Sequence, residues 1–460
     1  MRVILEELPE TLDETYERVL RDINKVNREY ARRLLHCLTV ASRPLRVEEL
    51  AEVLAIDFAA PAHGGIPQLN PDWRWSDNHQ AVLSTCSSLI SIIDDKDFQV
   101  VQFSHFSVKE FLTSDRLARS SGGVSRFHIA LEPAHTILAQ ACLGVLLRLD
   151  KCIDRRNSGS IPLVKYAARH LFDHARFENV ASHIRVTMEY FFDADRPHWA
   201  TWTQIQEIDV SWERFSLNRR AKGAFPLYYA SLGGFYDLAR YLVGKHPEHI
   251  NARGGRMITP LMAALHEKHF QIAELLHQHG ADVNVRGQSN ATSLLVSCIT
   301  GILETVEWLL NHGADVNAQS NESCAPIHSA VGWGRLQLVR MLVEHNADVD
   351  VRGRDGMVPL HFAARHGSSH HVDIMRLLLD HGANPNARDE DDSTPLHYSC
   401  WWEKDDCLSS QGTVEGTRLL LKHGAIIDAE DNKGRTPLKL ALRYRRHDIE
   451  ACLLEHGATR

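Results

Sequence analysis

Twenty-eight histidines in 460 residues are the feature of this chain that most invites chemistry. An imidazole can ligate a metal, carry a proton or sense pH. The excess over ordinary globular usage fits a metal protein, a pH sensor or a repeated unit. A metal site needs His, Cys or carboxylate ligands grouped at compatible spacing. His370-His371 and His397-x2-Cys400-x6-Cys407 come nearest, and both sets are incomplete, so the sequence assigns no metal and no cofactor. Hydrolytic chemistry has no support, because neither G-x-S-x-G nor H-E-x-x-H occurs. The acidic run Asp389-Glu390-Asp391-Asp392 lacks the 12-residue EF-hand pattern and reads as a solvated turn. Gly244-Lys245 is no phosphate loop, since the upstream glycine is missing and His246 follows. No catalytic residue is assigned, and the chain is expected to catalyse nothing.

The histidines are explained by a repeat. The phrase H-G-A-D-V-N stands at His279–Asn284 and His312–Asn317, and varies as His345–Asp350, His381–Asn386 and His423–Asp428, with a last copy at His456-Gly457-Ala458. Its Gly/Asn position recurs at 280, 313, 346, 382, 424 and 457. A second phrase, T-P-L-H or a variant, precedes each copy: Thr259-Pro260-Leu261, Thr292-Ser293-Leu294, Ala325-Pro326-Ile327-His328, Val358-Pro359-Leu360-His361, Thr394-Pro395-Leu396-His397 and Thr436-Pro437-Leu438. Phe225-Pro226-Leu227-Tyr228-Tyr229-Ala230 is a degenerate earlier copy. Extra residues enter near Ser368–His371 and within Trp401–Gly412. The period and the two phrases resemble the ankyrin repeat, in about seven copies over 225–460. Each position has a physical reason. Thr caps a helix, and Pro fits its first turn. The L-L pairs, such as Leu309-Leu310, build an apolar stripe on a second helix. Gly then ends that helix in the left-handed region. Nine histidines occupy repeat positions: His279, His312, His345, His381, His423 and His456 at the helix end, and His328, His361 and His397 in the T-P-L-H slot. They are expected to serve as structural hydrogen-bonding groups.

Residues 1–224 show no such period. Helices are expected over Leu8–Leu20, Ala31–Ala41 and Arg46–Ile56, then a Gly/Pro-rich loop, then a helix over His79–Ser88. Strands Leu89–Asp94 and Phe98–Phe103 form a hairpin through Asp94-Asp95-Lys96-Asp97, and a helix follows at Ser107–Thr113. Further helices are expected at Ala134–Leu149, Ile161–Phe172 and Val180–Phe192. Helices followed by a hairpin are the order of a winged helix. The fold class is therefore mainly α: a winged-helix module (1–115), a helical linker domain (116–224) and an ankyrin α-solenoid (225–460). L-P-E-T-L-D-E-T-Y-E-R-V-L, R-P-L-R-V-E-E-L-A-E-V-L-A-I-D and V-Q-F-S-H-F-S-V-K-E-F-L resemble the region after the nucleotide-binding core of NACHT-type signalling ATPases, above all the fungal group with C-terminal ankyrin arrays. That family's Walker A loop is absent from this sequence, so ATP-driven switching is not implied. The resemblance implies either a stand-alone regulator or a truncated or inactive remnant of such a receptor.

Composition narrows the partners. Net charge is −8, divided as −2 over 1–224 and −6 over 225–460, which argues against a nucleic-acid-binding polyelectrolyte. A direct DNA-binding winged helix would need Lys or Arg on its recognition helix, and His79–Ser87 has none. Nine scattered cysteines without a C-x-x-C read as reduced thiols, giving an expected cytoplasmic or nuclear location without a membrane span. The best interaction surface is the concave side of the array. Arg365, His366, Trp401, Trp402, Arg443, Tyr444 and Trp333 project there from seven or eight residues past each T-P-L start, and Trp, Tyr and Arg are hot-spot types. Turn tips add Arg352, Arg354, Asp355, Asp389, Glu390 and Asp391. The expected function is a protein–protein interaction scaffold that regulates a signalling protein or transcription factor.

Overall fold

The computed structural model describes residues 12–58, 66–74, 76–86, 88–95, 98–121, 123–149, 161–205, 224–366, 368–400 and 410–459. It divides into two compact units, one of Met1–Ala264 with Gln271–His279, the other of Leu265–Phe270 with Gly280–Arg460.

In the first unit, helix Arg28–Val40 buries Ala31, Leu34, Leu35 and Cys37, spaced for one helical face. Helix Val47–Leu54 follows after a two-residue strand, Leu45–Arg46, and helix Asn78–Cys86 packs against it. The expected hairpin is present as Ile90–Asp95 and Phe98–Phe103. Arg46, expected to begin a helix, instead lies with Leu45 in a strand that joins the hairpin's second strand antiparallel, Leu45 opposite Val101, completing the three-stranded sheet of a winged helix. Arg46 is the extended N-cap of the helix that follows, so its N–H must find a partner outside the helical ladder. That N–H goes to the Glu49 carboxylate at 2.9 Å, and the Arg43 guanidinium grips the same carboxylate at 2.8 and 2.6 Å. Glu49 is 2% exposed, so this fork removes the penalty of an unpaired buried charge.

Beyond the winged helix, Leu131–Leu146 and Val164–Ala175 pack as a helix pair. The expected helix over Val180–Phe192 is broken at Ile184 into Val180–His183 and Arg185–Phe191. Between the paired helices lies a buried chain of polar rings: His135 Nδ1 to His174 Nδ1 at 3.0 Å, then His174 Nε2 to the Tyr166 hydroxyl at 2.8 Å. Burial pushes His174 down to about 4. Phe172, Phe191, Phe192, Trp199 and Trp202 form an aromatic cluster that receives Tyr229 of the first repeat edge-on to Trp202, 5.1 Å between centroids. Arg176 donates to the carbonyls of Leu232 and Gly233 at the end of repeat helix Pro226–Gly233. A cation at a helix C-terminus offsets the dipole and pairs its orphan carbonyls.

The second unit is a stack of helix pairs. First helices run Ser293–Thr300, Pro326–Gly332, Pro359–His366, Pro395–Ser399 and Pro437–Arg443. Second helices run Leu303–Asn311, Leu336–Glu344, Ser369–Asp380, Ser410–Lys422 and His447–Glu455. First helices touch first helices, and second touch second, so two helical layers share one apolar seam. Gly280, Gly313, Gly382, Gly424 and Gly457 take φ between 83° and 93°, and Asn346 takes 65°, as the repeat pattern requires.

The polar residues of the phrase join the repeats. Asn284 accepts from Asp315 N at 2.8 Å and donates to the Gly313 carbonyl at 3.1 Å. Asn317 repeats the fork on Asp348 N and the Asn346 carbonyl, and Asn386 repeats it on Ile426 N and the Gly424 carbonyl. Where Asp replaces Asn, only acceptors remain: Asp350 takes Asn384 N at 3.0 Å, and Asp428 takes Thr459 N at 3.0 Å. His279, His312, His345, His381 and His456 donate from Nδ1 to the carbonyl four residues back, at 2.7–2.9 Å. In the T-P-L-H slot the ring is reversed. Nδ1 of His361 accepts from Val358 N at 3.0 Å, and Nε2 donates to Ser393 of the next repeat at 3.1 Å. His397 does the same with Thr394 N and the Arg435 carbonyl. Both rings must be neutral with the proton on Nε2, and burial lowers both from the usual imidazole range.

Two outcomes follow. Asn317→Ala removes one exposed fork and lowers unfolding free energy by about 1 kcal/mol in urea melts, whereas His361→Ala orphans buried backbone groups and costs about 2–4 kcal/mol. For acid, the folded pKa values of His174, His361, His371 and His397 lie below the unfolded value, so the folded state binds fewer protons. Stability is complete above about pH 6.5 and is lost as pH falls toward 4, read as a falling urea midpoint.

Candidate protein-interaction surface

The first helices are short, so each presents its C-terminal end in the same phase. Ala330 and Val331 are buried while Trp333, one position past its helix, is 65% exposed. Gly334 at φ 66° lets the chain reverse there, and Arg335 N returns to the Ala330 carbonyl at 2.9 Å. One position short of the equivalent place in the preceding repeat, which is Thr300, stands Ile299, 43% exposed. Arg335 donates to the Ile299 carbonyl at 2.9 Å, tying the two neighbouring helix ends together. In the next repeat Arg365 and His366 are half-buried at the end of their helix, and in the last repeat Arg443 is exposed and Tyr444 half-buried. Trp401 and Trp402 lie outside the described residues. The structure thus places Trp333, Arg365, His366, Arg443 and Tyr444 at repeated positions along one row of helix ends. Beside Trp333, the His371 ring stands 3.1 Å from where a side-chain carbon on Gly334 would be. His366 stacks on His371 with centroids 5.0 Å apart, and Nδ1 of His371 meets Ser368 Oγ at 2.6 Å. Burial holds His371 at about 4, so it adds shape and no charge to this row at neutral pH.

The turn tips divide differently. Arg352, Arg354, Asp355, Glu390 and Asp391 are exposed. Several are already engaged between neighbouring tips: Arg354 pairs with Glu322, Glu390 N reaches the Asp355 carbonyl at 3.0 Å, and Asp391 accepts from the Asn432 amide at 2.8 Å. Asp389 is taken inward and is 8% exposed. Its carboxylate accepts from Asp391 N, Ser393 N and the Tyr398 hydroxyl at 2.8–2.9 Å. It shapes the tip from inside rather than facing solvent. Asp431 does this for the following tip, accepting from Lys433 N and Arg435 N and pairing with the Arg435 guanidinium. The sequence signal for this role is an Asp two and four residues before backbone N–H groups that cannot reach a helix.

The residues that tempted a metal reading in this unit are occupied. Both ring nitrogens of His397 are spent on backbone. Cys400 is fully buried, donates to the Leu396 carbonyl at 3.3 Å, and is pushed by burial up to about 12, so it holds its proton. Cys407 lies outside the described residues, and His370 is exposed while His371 is buried.

The comparisons agree with this architecture. The family described as "GPI inositol-deacylase, winged helix domain" matches residues 17–122. "Ankyrin repeats (3 copies)" matches 205–287 and 261–353, and "Ankyrin repeats (many copies)" matches 342–399. The chain is 28% identical over 295 residues to the "Azaphilone pigments biosynthesis cluster protein L" of Monascus ruber, a match that spans 60% of each chain. Among the described residues no helix is long and apolar enough to cross a membrane. The chain carries ankyrin repeats and an N-terminal winged-helix domain of the GPI-inositol-deacylase type, a pairing found in NACHT-ankyrin proteins.

Proposed function

We propose that this protein is a non-catalytic regulator that holds a partner protein along the row of first-helix ends, the partner being a signalling protein or a transcription factor. Ankyrin repeats support a protein-interaction scaffold in general. The observation that carries the finer reading is Trp333, 65% exposed in phase with Arg365, His366, Arg443 and Tyr444. An exposed Trp gains nothing from folding and has the largest area to bury against a partner. Direct DNA binding is not favoured, since helix Asn78–Cys86 carries no Lys or Arg and the adjacent Arg74 is paired with the buried Glu52.

A photo-crosslinking residue at 333, 365 or 443 gives a discrete adduct in extract from the source cells, while one at Glu307, on a second helix, does not. Equal adducts at all four positions, or none, overturn the assignment. Trp333→Ala changes stability by less than about 0.5 kcal/mol in urea melts. The same variant lowers capture of the crosslinked partner at least about tenfold. Equal capture by the variant and the natural protein shows that this row is not the binding face.

A further inference from the structure

The phrase that closes every repeat is rewritten once. His246-Pro247-Glu248-His249-Ile250-Asn251 stands 33 residues before His279–Asn284 and corresponds to it position by position. Pro247 replaces the glycine, Glu248 the alanine and His249 the aspartate. Proline cannot take the positive φ of the other copies, so the chain turns through a short 3₁₀ segment, Pro247–His249. His246 keeps the repeat position but does another job. In five other copies Nδ1 donates to the carbonyl four residues back. In His246 that nitrogen faces Glu248 Oε1 at 3.2 Å, and Nε2 is buried without a hydrogen-bond partner. Glu248 Oε1 lies 3.9 Å from Nε2 of His249. One ligand atom from each of the three residues falls within 4.8 Å of the others, the one such group among the described residues.

We propose that His246, Glu248 and His249 bind a divalent transition-metal ion of the zinc class. Two imidazoles and a carboxylate suit zinc, cobalt or nickel and not calcium or magnesium, which want oxygen ligands. Ligand atoms about 2.0–2.1 Å from a tetrahedral zinc stand about 3.3 Å apart, so the observed separations need only small side-chain rotations. The rings are already held. Phe225 stacks against His249 at 4.1 Å between centroids, and His246 and His249 lie 5.1 Å apart at 21°. Three protein ligands leave the fourth tetrahedral position to water.

The full-length protein, stripped with chelator, is titrated with Co²⁺ and then with Zn²⁺. The expected result is one equivalent of cobalt with the intense visible bands of tetrahedral coordination, displaced by one equivalent of zinc. Glu248→Ala, whose side chain is 62% exposed and whose loss leaves the fold intact, weakens binding at least tenfold, as does His249→Ala. Circular dichroism checks that both variants remain folded. Absence of saturable cobalt binding, or equal affinity in natural protein and variants, overturns the site.

Discussion

The array rests on one constraint: a repeat leaves part of the polar backbone of its own turn for a neighbour to satisfy. The helix ends at a left-handed glycine, and the backbone beyond it has carbonyls and N–H groups with no helical partner. An asparagine side chain from the preceding repeat supplies both halves of the missing pair, as Asn284 does for Gly313 and Asp315. The tips add a second ladder, in which Asn321 N reaches Ser289, Glu390 N reaches Asp355, and Asn432 N reaches Asp391. Helix packing supplies the apolar part of repeat cohesion, but these bonds set which turn faces which.

The first unit solves a related problem with charge. Glu49 and Glu52 are buried at 2% and 5% exposure, and each carries an arginine, Arg43 and Arg74. The fork on Glu49 fixes the start of helix Val47–Leu54, holding the Arg46 N–H at the point of transition from strand to helix. Burial favours the neutral forms of Tyr166, His174 and His135, as it does for His361 and His397.

Much of this was legible in the sequence because the repeat writes each physical role several times. The helix-ending glycines, the T-P-L starts and the hairpin strands could be read from spacing alone. Leu45–Arg46 was not, since a two-residue strand carries no period and is fixed by its partner Val100–Val101. Asp389 was misplaced because an acidic run looks the same whether its first member points out or caps a turn from within. Trp333 was legible as a repeat position, but its exposure depends on where Gly334 reverses the chain. The rewritten copy at His246 was hidden by its own divergence: a degenerate phrase reads as decay until its side chains are placed beside one another.

The Asn forks also bear on how such a protein can change. Between Asn317 and Asn346 the bond spans 29 residues, and between Asn386 and Gly424 it spans 38, yet both close at 3.4 Å or less. Thr417 still reaches Ser399 at 3.1 Å across the longer interval. The register is thus a ruler laid in space and not along the chain. A repeat can lengthen between its two helices without disturbing its neighbours, so the lineage of this array can graft new sequence onto one rung while every other rung keeps its place.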